Sequence, residues 1–186
     1  MSSDIIEIRW HGRGGMGAIT AAKLVAEGAF LSGYGGAIMA PTFGTERRGA
    51  PVHTSLKISK EKINDLSPIE TPDIVVVLDH MIMSEVDVTA GLKPGGMVVL
   101  NTPKSLEKSK INGYRVAVAH VNEIALESGL RKGIVNTGII GAFAKATGLV
   151  DIDVLSDCIE REFAGKRAKE NAAAAKTTYE RTQVEE

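Results

Sequence analysis

The sequence contains 186 residues, of which 44% are hydrophobic and 24% are charged, and its formal net charge is −1. This length and composition support a sizeable core, so we predict a single domain over residues 1–186. A nearly neutral chain has no general attraction for nucleic acid. Because no apolar run reaches about 20 residues, and Met1-Ser2-Ser3-Asp4 lack the basic and apolar regions of a signal peptide, we expect a cytoplasmic protein that does not bind membranes.

The chain begins with a strand, a glycine-rich turn and a helix. Residues 5–10 form a short β-branched run, and Gly12-Arg13-Gly14-Gly15-Met16-Gly17 follows immediately. Apolar residues then recur at helical spacing over residues 18–30, and Gly33 and Gly35 stand where a helix commonly ends. This order predicts a Rossmann-like start.

Alternating apolar segments continue to the C-terminus. Further strands are predicted at residues 37–39, 52–58, 74–78, 97–100 and 114–119, and helices at residues 123–128, 137–147 and 153–162. Alternation of strands and helices throughout the chain predicts an α/β layered sandwich with a largely parallel or mixed sheet and a helical C-terminus. Residues 171–186 are alanine-rich and then polar, which suggests a flexible tail or a helix that depends on a partner.

The glycine-rich turn fits the G-x-G-x-x-G pattern between a strand and a helix, where backbone N–H groups can approach an anion. A dinucleotide site also needs an acidic residue about 20 positions later, but the second predicted strand ends in Met39-Ala40-Pro41. The turn also lacks the Gly-Lys-Ser/Thr ending of a P-loop. Two interpretations remain, a sharp turn into a packed helix and an anion site in which Arg13 holds a phosphate or carboxylate.

A second loop contains two adjacent arginines. Thr45-Glu46-Arg47-Arg48-Gly49-Ala50-Pro51 lies in a segment without helical or alternating period. It fits a solvated turn in which Glu46 pairs with an arginine, and it also fits an interface or anion-binding loop, because the planar guanidinium suits both.

The two loops together resemble the gamma subunits of pyruvate and related 2-oxoacid:ferredoxin oxidoreductases. The resemblance is carried by the Gly-Arg-Gly-Gly-Met-Gly turn, by Ala21-Ala22-Lys23-Leu24 and by residues 43–52, and residues 73–79 and 135–137 are compatible with it. Met16 stands where the family commonly has glutamine, which is a departure within the turn.

The resemblance implies a part of a larger enzyme. Such enzymes oxidatively decarboxylate a 2-oxoacid, transfer the acyl group to coenzyme A and pass electrons to ferredoxin. Thiamine diphosphate, magnesium and [4Fe-4S] clusters would lie in alpha, beta and delta-type partner subunits, with no cofactor held by this chain alone. Coenzyme A would be a cosubstrate, and pyruvate the most favoured 2-oxoacid.

The resemblance also implies contacts for coenzyme A or for a partner subunit. The candidate residues are Arg13, Gly14, Gly15, Met16, Gly17, Arg47 and Arg48. The alternatives are a subunit of an indolepyruvate or 2-oxoglutarate enzyme, an independent nucleotide-binding domain, and a scaffold that contacts no small molecule.

Other chemistry has little support in the sequence. Cys158 is the only cysteine, so it cannot form an internal disulfide or supply a four-cysteine cluster, and it fits a buried structural thiol. The four histidines lack metal-ligand spacing, and we assign no metal site and no catalytic residue. Asp79-His80 follows the most apolar strand and could face a ligand crevice, although a helix cap by Asp79 is favoured.

Overall fold

The computed structural model describes residues 5–41 and 48–185, with a mixed sheet of seven strands at its centre. The strands are β1 (Ile6–Arg13), β2 (Gly36–Pro41), β3 (Pro51–Ser59), β4 (Ile74–Val77), β5 (Met97–Asn101), β6 (Arg115–Ala119) and β7 (Gln183–Val184). Their order across the sheet is β2-β3-β1-β4-β5-β6-β7. β1, β4, β5 and β6 are parallel neighbours, whereas β2, β3 and β7 join through antiparallel pairs. The predicted α/β class with a mixed sheet is therefore confirmed.

One face of the sheet is covered by α-helices. They are α1 (Ala18–Leu31), α2 (Val121–Glu127), α3 (Gly138–Thr147), α4 (Ile152–Glu162) and α5 (Ala168–Arg181). The main hydrophobic core lies between this layer and the sheet, where Trp10 of β1 packs against Phe143 of α3 with ring centroids 5.4 Å apart. Alternate residues of the strands point into this core, as the period of two in a strand requires.

The opposite face of the sheet is covered by segments with short 3-10 helices and not by the α-helices that we predicted. We expected helices to alternate with strands throughout, but the segments after β4 and β5 contain only short 3-10 helices, His80–Ser84 and Glu107–Ser109, among the described residues. These segments close a second, smaller core against Val75, Val77 and Val98. The two parallel connections, residues 78–96 and 102–114, need no α-helix because apolar side chains such as Ile82 cover the strands instead.

The Rossmann-like start holds only for the first strand, turn and helix. β3 lies between β2 and β1, so the strand that follows α1 is at the edge of the sheet and is not the parallel neighbour of β1. In a dinucleotide-binding unit, the acidic residue that holds the ribose comes from the strand next to β1. This topology therefore provides no second strand in the position that a dinucleotide site requires.

The C-terminal segment corrects a second expectation. We predicted residues 171–186 to be a flexible tail or a partner-dependent helix, but α5 packs on α3 and α4 of the same chain. Asn171, Ala174, Ala175 and Thr178 are buried, and Thr137 Oγ1 donates to Asn171 Oδ1 at 3.0 Å. Small side chains let the helix approach closely, a feature that hydropathy alone does not reveal. Across the described residues, no helix is both long and apolar enough to cross a membrane.

Candidate functional site

The candidate site lies where the parallel strands β1 and β4 end side by side. The register pairs His11 of β1 with Val77 of β4, so the glycine-rich turn and Asp79 emerge at the same edge of the sheet. The carboxyl ends of strands in open α/β sheets commonly face ligands. The 48–50 segment reaches the same place because β3 runs antiparallel to β1, with Pro51 paired to Arg13.

The glycine-rich turn needs glycine at two positions. Gly15 and Gly17 have φ values of +91° and +82°, a region that residues with a Cβ rarely adopt. Gly17 also lies against Asn136, whose Nδ2 would be only 2.9 Å from a Cβ at that position. The turn is thus closely packed beneath the segment that leads into α3, and a side chain at Gly17 would displace Asn136.

Some N–H groups of the turn are already hydrogen-bonded within the chain. Gly14 N–H donates to Ala50 O at 2.9 Å, and Met16 N–H donates to Arg13 O at 2.9 Å. Within the part of the chain that the structure describes, no acceptor is found for the N–H groups of Gly15 and Gly17, and no side chain caps α1. The first turn of α1 therefore adds unpaired donors to those of the loop, an arrangement that favours an anion.

Arg13 is held by two carboxylates and one carbonyl. Its Nε donates to Asp79 Oδ2 at 2.7 Å, its Nη2 to Glu85 Oε1 at 2.5 Å, and its Nη1 to Gly49 O at 3.1 Å. The Arg13 side chain is 23% exposed. These hydrogen bonds, first that to Glu85 and then that to Asp79, raise the pKa of the Arg13 guanidinium, and the hydrogen bond from Arg13 lowers the pKa of Glu85.

Of the two arginines in the second loop, Arg48 is the one that lies within the described residues. It is exposed, and its Cγ lies 3.9 Å from the position that a Cβ on Gly15 would occupy. Among residues 5–41 and 48–185, no carboxylate forms an ion pair with Arg48. Arg47, which the sequence also singles out, lies outside the described residues.

Asp79 caps a short helix, which is the role that the sequence favoured. Its Oδ1 accepts from Met81 N at 3.0 Å and caps the first 3-10 helix, while its other oxygen accepts from Arg13. Asp79 is therefore a structural residue at the edge of the site. Two further residues of the site were not predicted from the sequence: Glu85, which pairs with Arg13, and Asn136, which packs on Gly17. No sequence signal marks Glu85, whereas Asn136 stood in a segment already compatible with the family.

His11 and His53 lie beside each other on the adjacent strands β1 and β3. Their ring centroids are 5.7 Å apart, and Arg9 Nε donates to His11 Nε2 at 3.1 Å. Burial lowers the pKa of His11 to about 3, with further lowering by Arg9 and His53. His11 is consequently neutral near pH 7 and serves as a hydrogen-bond acceptor. Within the described ranges, no group of three or more His, Cys, Asp or Glu residues is arranged to hold a metal ion.

The sequence matches a known family over almost its whole length. Residues 7–181 match the family described as Pyruvate ferredoxin/flavodoxin oxidoreductase. The chain is 49% identical over 187 residues to the Pyruvate/ketoisovalerate oxidoreductases common subunit gamma of Thermococcus litoralis, covering 98% of this chain and 100% of that protein. It is 47% identical over 180 residues to Pyruvate synthase subunit PorC of Methanothermobacter marburgensis, covering 95% and 97% of the two chains.

Solved structures agree with this relationship. Pyruvate oxidoreductase subunit PORC of Thermotoga maritima superposes with a TM-score of 0.83 at 32% identity, covering 98% of this chain and 99% of that one. A 2-oxoglutarate:ferredoxin oxidoreductase of Magnetococcus marinus shares the fold, with a TM-score of 0.76 at 18% identity, but only 32% of that longer chain is covered. The resemblance carried by the two loops is thus confirmed, and the chain belongs to the pyruvate ferredoxin/flavodoxin oxidoreductase family.

Proposed function

We propose that this chain is the gamma subunit of a multisubunit 2-oxoacid:ferredoxin oxidoreductase and that its glycine-rich turn and Arg48 contact coenzyme A. The observation that supports the coenzyme A contact is that N–H groups and a guanidinium without a partner among the described residues lie close together. The N–H groups of Gly15 and Gly17 and the start of α1 belong to one turn at the carboxyl edge of the sheet, and Arg48 Cγ lies 3.9 Å from the position of a Cβ on Gly15. Both kinds of group bind phosphate, of which coenzyme A carries several.

The residues of the site divide into two groups under this proposal. Gly14, Gly15, Met16 and Gly17 shape the turn, and Arg48 supplies the positive charge next to it. Arg13 lies in the same site, but its guanidinium already binds two carboxylates. Arg47 is included on the sequence resemblance alone.

The reaction requires partners, and we assign it to the assembled enzyme in the cytoplasm. Alpha, beta and delta-type subunits would hold thiamine diphosphate, magnesium and [4Fe-4S] clusters, and ferredoxin would accept the electrons. The lone cysteine fits this division, because it is buried in α4 and a cubane cluster needs four thiolates.

Pyruvate is the 2-oxoacid that we favour. Relatives in Thermococcus litoralis and Pyrococcus furiosus are named as a gamma subunit common to pyruvate and ketoisovalerate oxidoreductases. A subunit shared in this way does not select the 2-oxoacid, so the oxoacid-binding pocket would lie on another chain. The same logic accommodates a 2-oxoglutarate or indolepyruvate enzyme as the alternative.

The coenzyme A contact is tested in the assembled enzyme with the variant Arg48→Ala. We expect the KM for coenzyme A to rise about tenfold, because one charge-assisted contact is lost, while the KM for pyruvate is unchanged. Arg115→Ala is the matched control, since Arg115 is exposed at the start of β6, at the opposite edge of the sheet.

An unchanged KM for coenzyme A in Arg48→Ala would leave this loop only a role in subunit contacts. Purification of the tagged chain from its own cells, followed by mass spectrometry and a pyruvate-dependent dye-reduction assay, tests the subunit assignment separately. Recovery of the chain alone and without activity would instead favour an independent binding domain, which the edge position of β2 already disfavours.

A further inference from the structure

Arg13 connects three segments that are far apart in the sequence. It belongs to the end of β1, Gly49 lies 36 residues later, and Asp79 and Glu85 lie 66 and 72 residues later. Two backbone hydrogen bonds join the first two segments at the same point, from Gly14 N–H to Ala50 O at 2.9 Å and from Gly49 N–H to Gly14 O at 3.1 Å. Three segments therefore meet at the Arg13 guanidinium: the glycine-rich turn, residues 48–50, called here the Arg48 segment, and residues 79–85.

The charges around Arg13 make it a poor receptor for a further anion. One guanidinium faces two carboxylates within 2.7 Å, so the group of three carries a net negative charge. A phosphate that bound Arg13 would have to displace a carboxylate or approach against that charge. Three of the five N–H donors of the guanidinium are also already used.

We infer that Arg13 is the centre of an ionic clamp, in which Asp79 and Glu85 hold the glycine-rich turn against the Arg48 segment, and that these three are positioning residues. The inference rests on the proposed coenzyme A function for its effect on catalysis. The clamp aligns the free N–H groups of the turn with the guanidinium of Arg48. Coenzyme A then contacts the turn and Arg48 without replacing any of the ion pairs of Arg13.

The clamp and a direct phosphate contact by Arg13 predict opposite effects of removing Glu85. If Glu85 is part of a clamp, Glu85→Ala loosens the site and the KM for coenzyme A rises several-fold in the assembled enzyme. If Arg13 instead binds phosphate, removal of the competing carboxylate frees the guanidinium and the KM for coenzyme A falls. The clamp also predicts an unchanged KM for pyruvate and partial recovery in Glu85→Asp, which restores the carboxylate.

Amide exchange tests the clamp without coenzyme A. In the assembled enzyme, we expect Glu85→Ala and Asp79→Asn to accelerate hydrogen–deuterium exchange in peptides that contain Gly14 and Gly49, because their mutual hydrogen bonds lose support. Asp79→Asn retains an oxygen that can accept from Met81 N–H, so it keeps the helix cap. Glu162→Ala is the matched control, since it removes the partly exposed ion pair with Lys23 elsewhere on the molecule.

The two readouts separate failure of the clamp from failure of the coenzyme A proposal. Unchanged exchange at Gly14 and Gly49, or a lower KM for coenzyme A in Glu85→Ala, would overturn the clamp. Faster exchange with a higher KM for coenzyme A supports it. Faster exchange with no change in that KM, in Glu85→Ala and in Arg48→Ala alike, would support the clamp and overturn coenzyme A as the ligand.

Discussion

His11 shows how one buried side chain makes the fold sensitive to acid. The residue lies on β1 and is 8% exposed, and its Nε2 accepts the hydrogen bond from Arg9. Protonation of Nε2 would turn this acceptor into a donor that faces a guanidinium. Burial, followed by Arg9 and His53, accordingly lowers the pKa of His11 from its ordinary value of 6.5 to about 3 in the folded chain.

We predict that stability falls as the pH drops from 6.5 to 5. The unfolded chain takes up a proton at His11 in this range whereas the folded chain does not, so acid favours unfolding. The loss from His11 is about 1.5 kcal/mol of unfolding free energy. His53, whose pKa is also lowered by burial and then by Arg9, adds a loss of the same sign. Denaturant titrations at several pH values measure the unfolding free energy and its dependence on pH.

His11→Gln supplies the comparison, since glutamine keeps an acceptor but cannot titrate. Its unfolding free energy should depend less on pH than that of the parent chain over the same range. Equal pH dependence in the parent and in His11→Gln would show that His11 is not the source of the acid sensitivity.

At the scale of single residues, the sequence singled out candidate site residues but not the side chains that the structure places against them. Arg13 and the glycines were recognisable because their spacing repeats a known strand–turn–helix pattern. Glu85 was not, because it lies 72 residues from Arg13 and the contact depends on how β4 is placed beside β1. Arg13 thereby changed from a candidate ligand contact to a side chain already paired within the chain.

The contacts that α3 makes with α5 and with α2 depend on glycines that face these neighbouring helices. A Cβ at Gly141 would lie 1.9 Å from Ala175 O, and a Cβ at Gly138 would lie 2.4 Å from Val121 Cγ1. The carbonyl of Ala175 is part of the α5 backbone, so it cannot rotate away as a side chain can. Close approach of the two helices therefore requires glycine at position 141.

We predict that Gly141→Ala destabilises the chain by about 3 kcal/mol, at the upper end of ordinary overpacking, despite the better helix propensity of alanine. Gly28→Ala in α1 is the matched comparison, because its Cβ would meet the movable Leu155 Cδ2 at 2.7 Å. Thermal unfolding of both variants measures the difference. A Gly141→Ala chain as stable as Gly28→Ala would mean that α3 and α5 are further apart than described.

The positions of the main elements were predictable and one kind of connection was not. The predicted helix at 137–147 is found as α3 over Gly138–Thr147, because apolar residues at helical spacing persist over three turns. The segment after β4 was wrongly expected to contain a helix. There, Asp79 begins a 3-10 helix of five residues, and such short elements leave no clear periodicity in a sequence.

The whole molecule depends on its last helix. α5 follows the final helix that we predicted, yet it packs on both α3 and α4, and Ala174 and Ala175 are fully buried. The alanine-rich and then polar composition had suggested a flexible tail or a helix that depends on a partner. They instead serve here to bring the helix backbones close together.

A chain that ends after Arg167 should therefore lose cooperative unfolding. Removal of α5 exposes the faces of α3 and α4 that it covers. A chain that ends after Thr182 keeps α5 and loses only the two-residue strand β7, so its Tm should shift by a few degrees at most. Thermal melting followed by circular dichroism compares the cooperativity and the Tm of the two shortened chains. A cooperative transition in the shorter chain would show that α5 is not part of the core.

Strand order is the property of the whole molecule that the sequence could not supply. The antiparallel neighbour of β1 comes from residues 51–59 and the parallel neighbour from residues 74–77, and the apolar runs at these positions do not say which strand they will join. The insertion of β3 between β2 and β1 separates this fold from dinucleotide-binding units that begin with the same motif.

The position of α5 also has a consequence for how the protein is made. A ribosome delivers the chain from its N-terminus, and a domain folds stably only when its core is complete. Because Ala174, Ala175 and Thr178 fill the contact with α3, and β7 closes one edge of the sheet, the newly made chain exposes apolar surface until α5 and β7 have emerged. Stable folding is therefore expected to wait until β7 has left the ribosome, and association with other subunits would begin with a chain in which α5 is already packed.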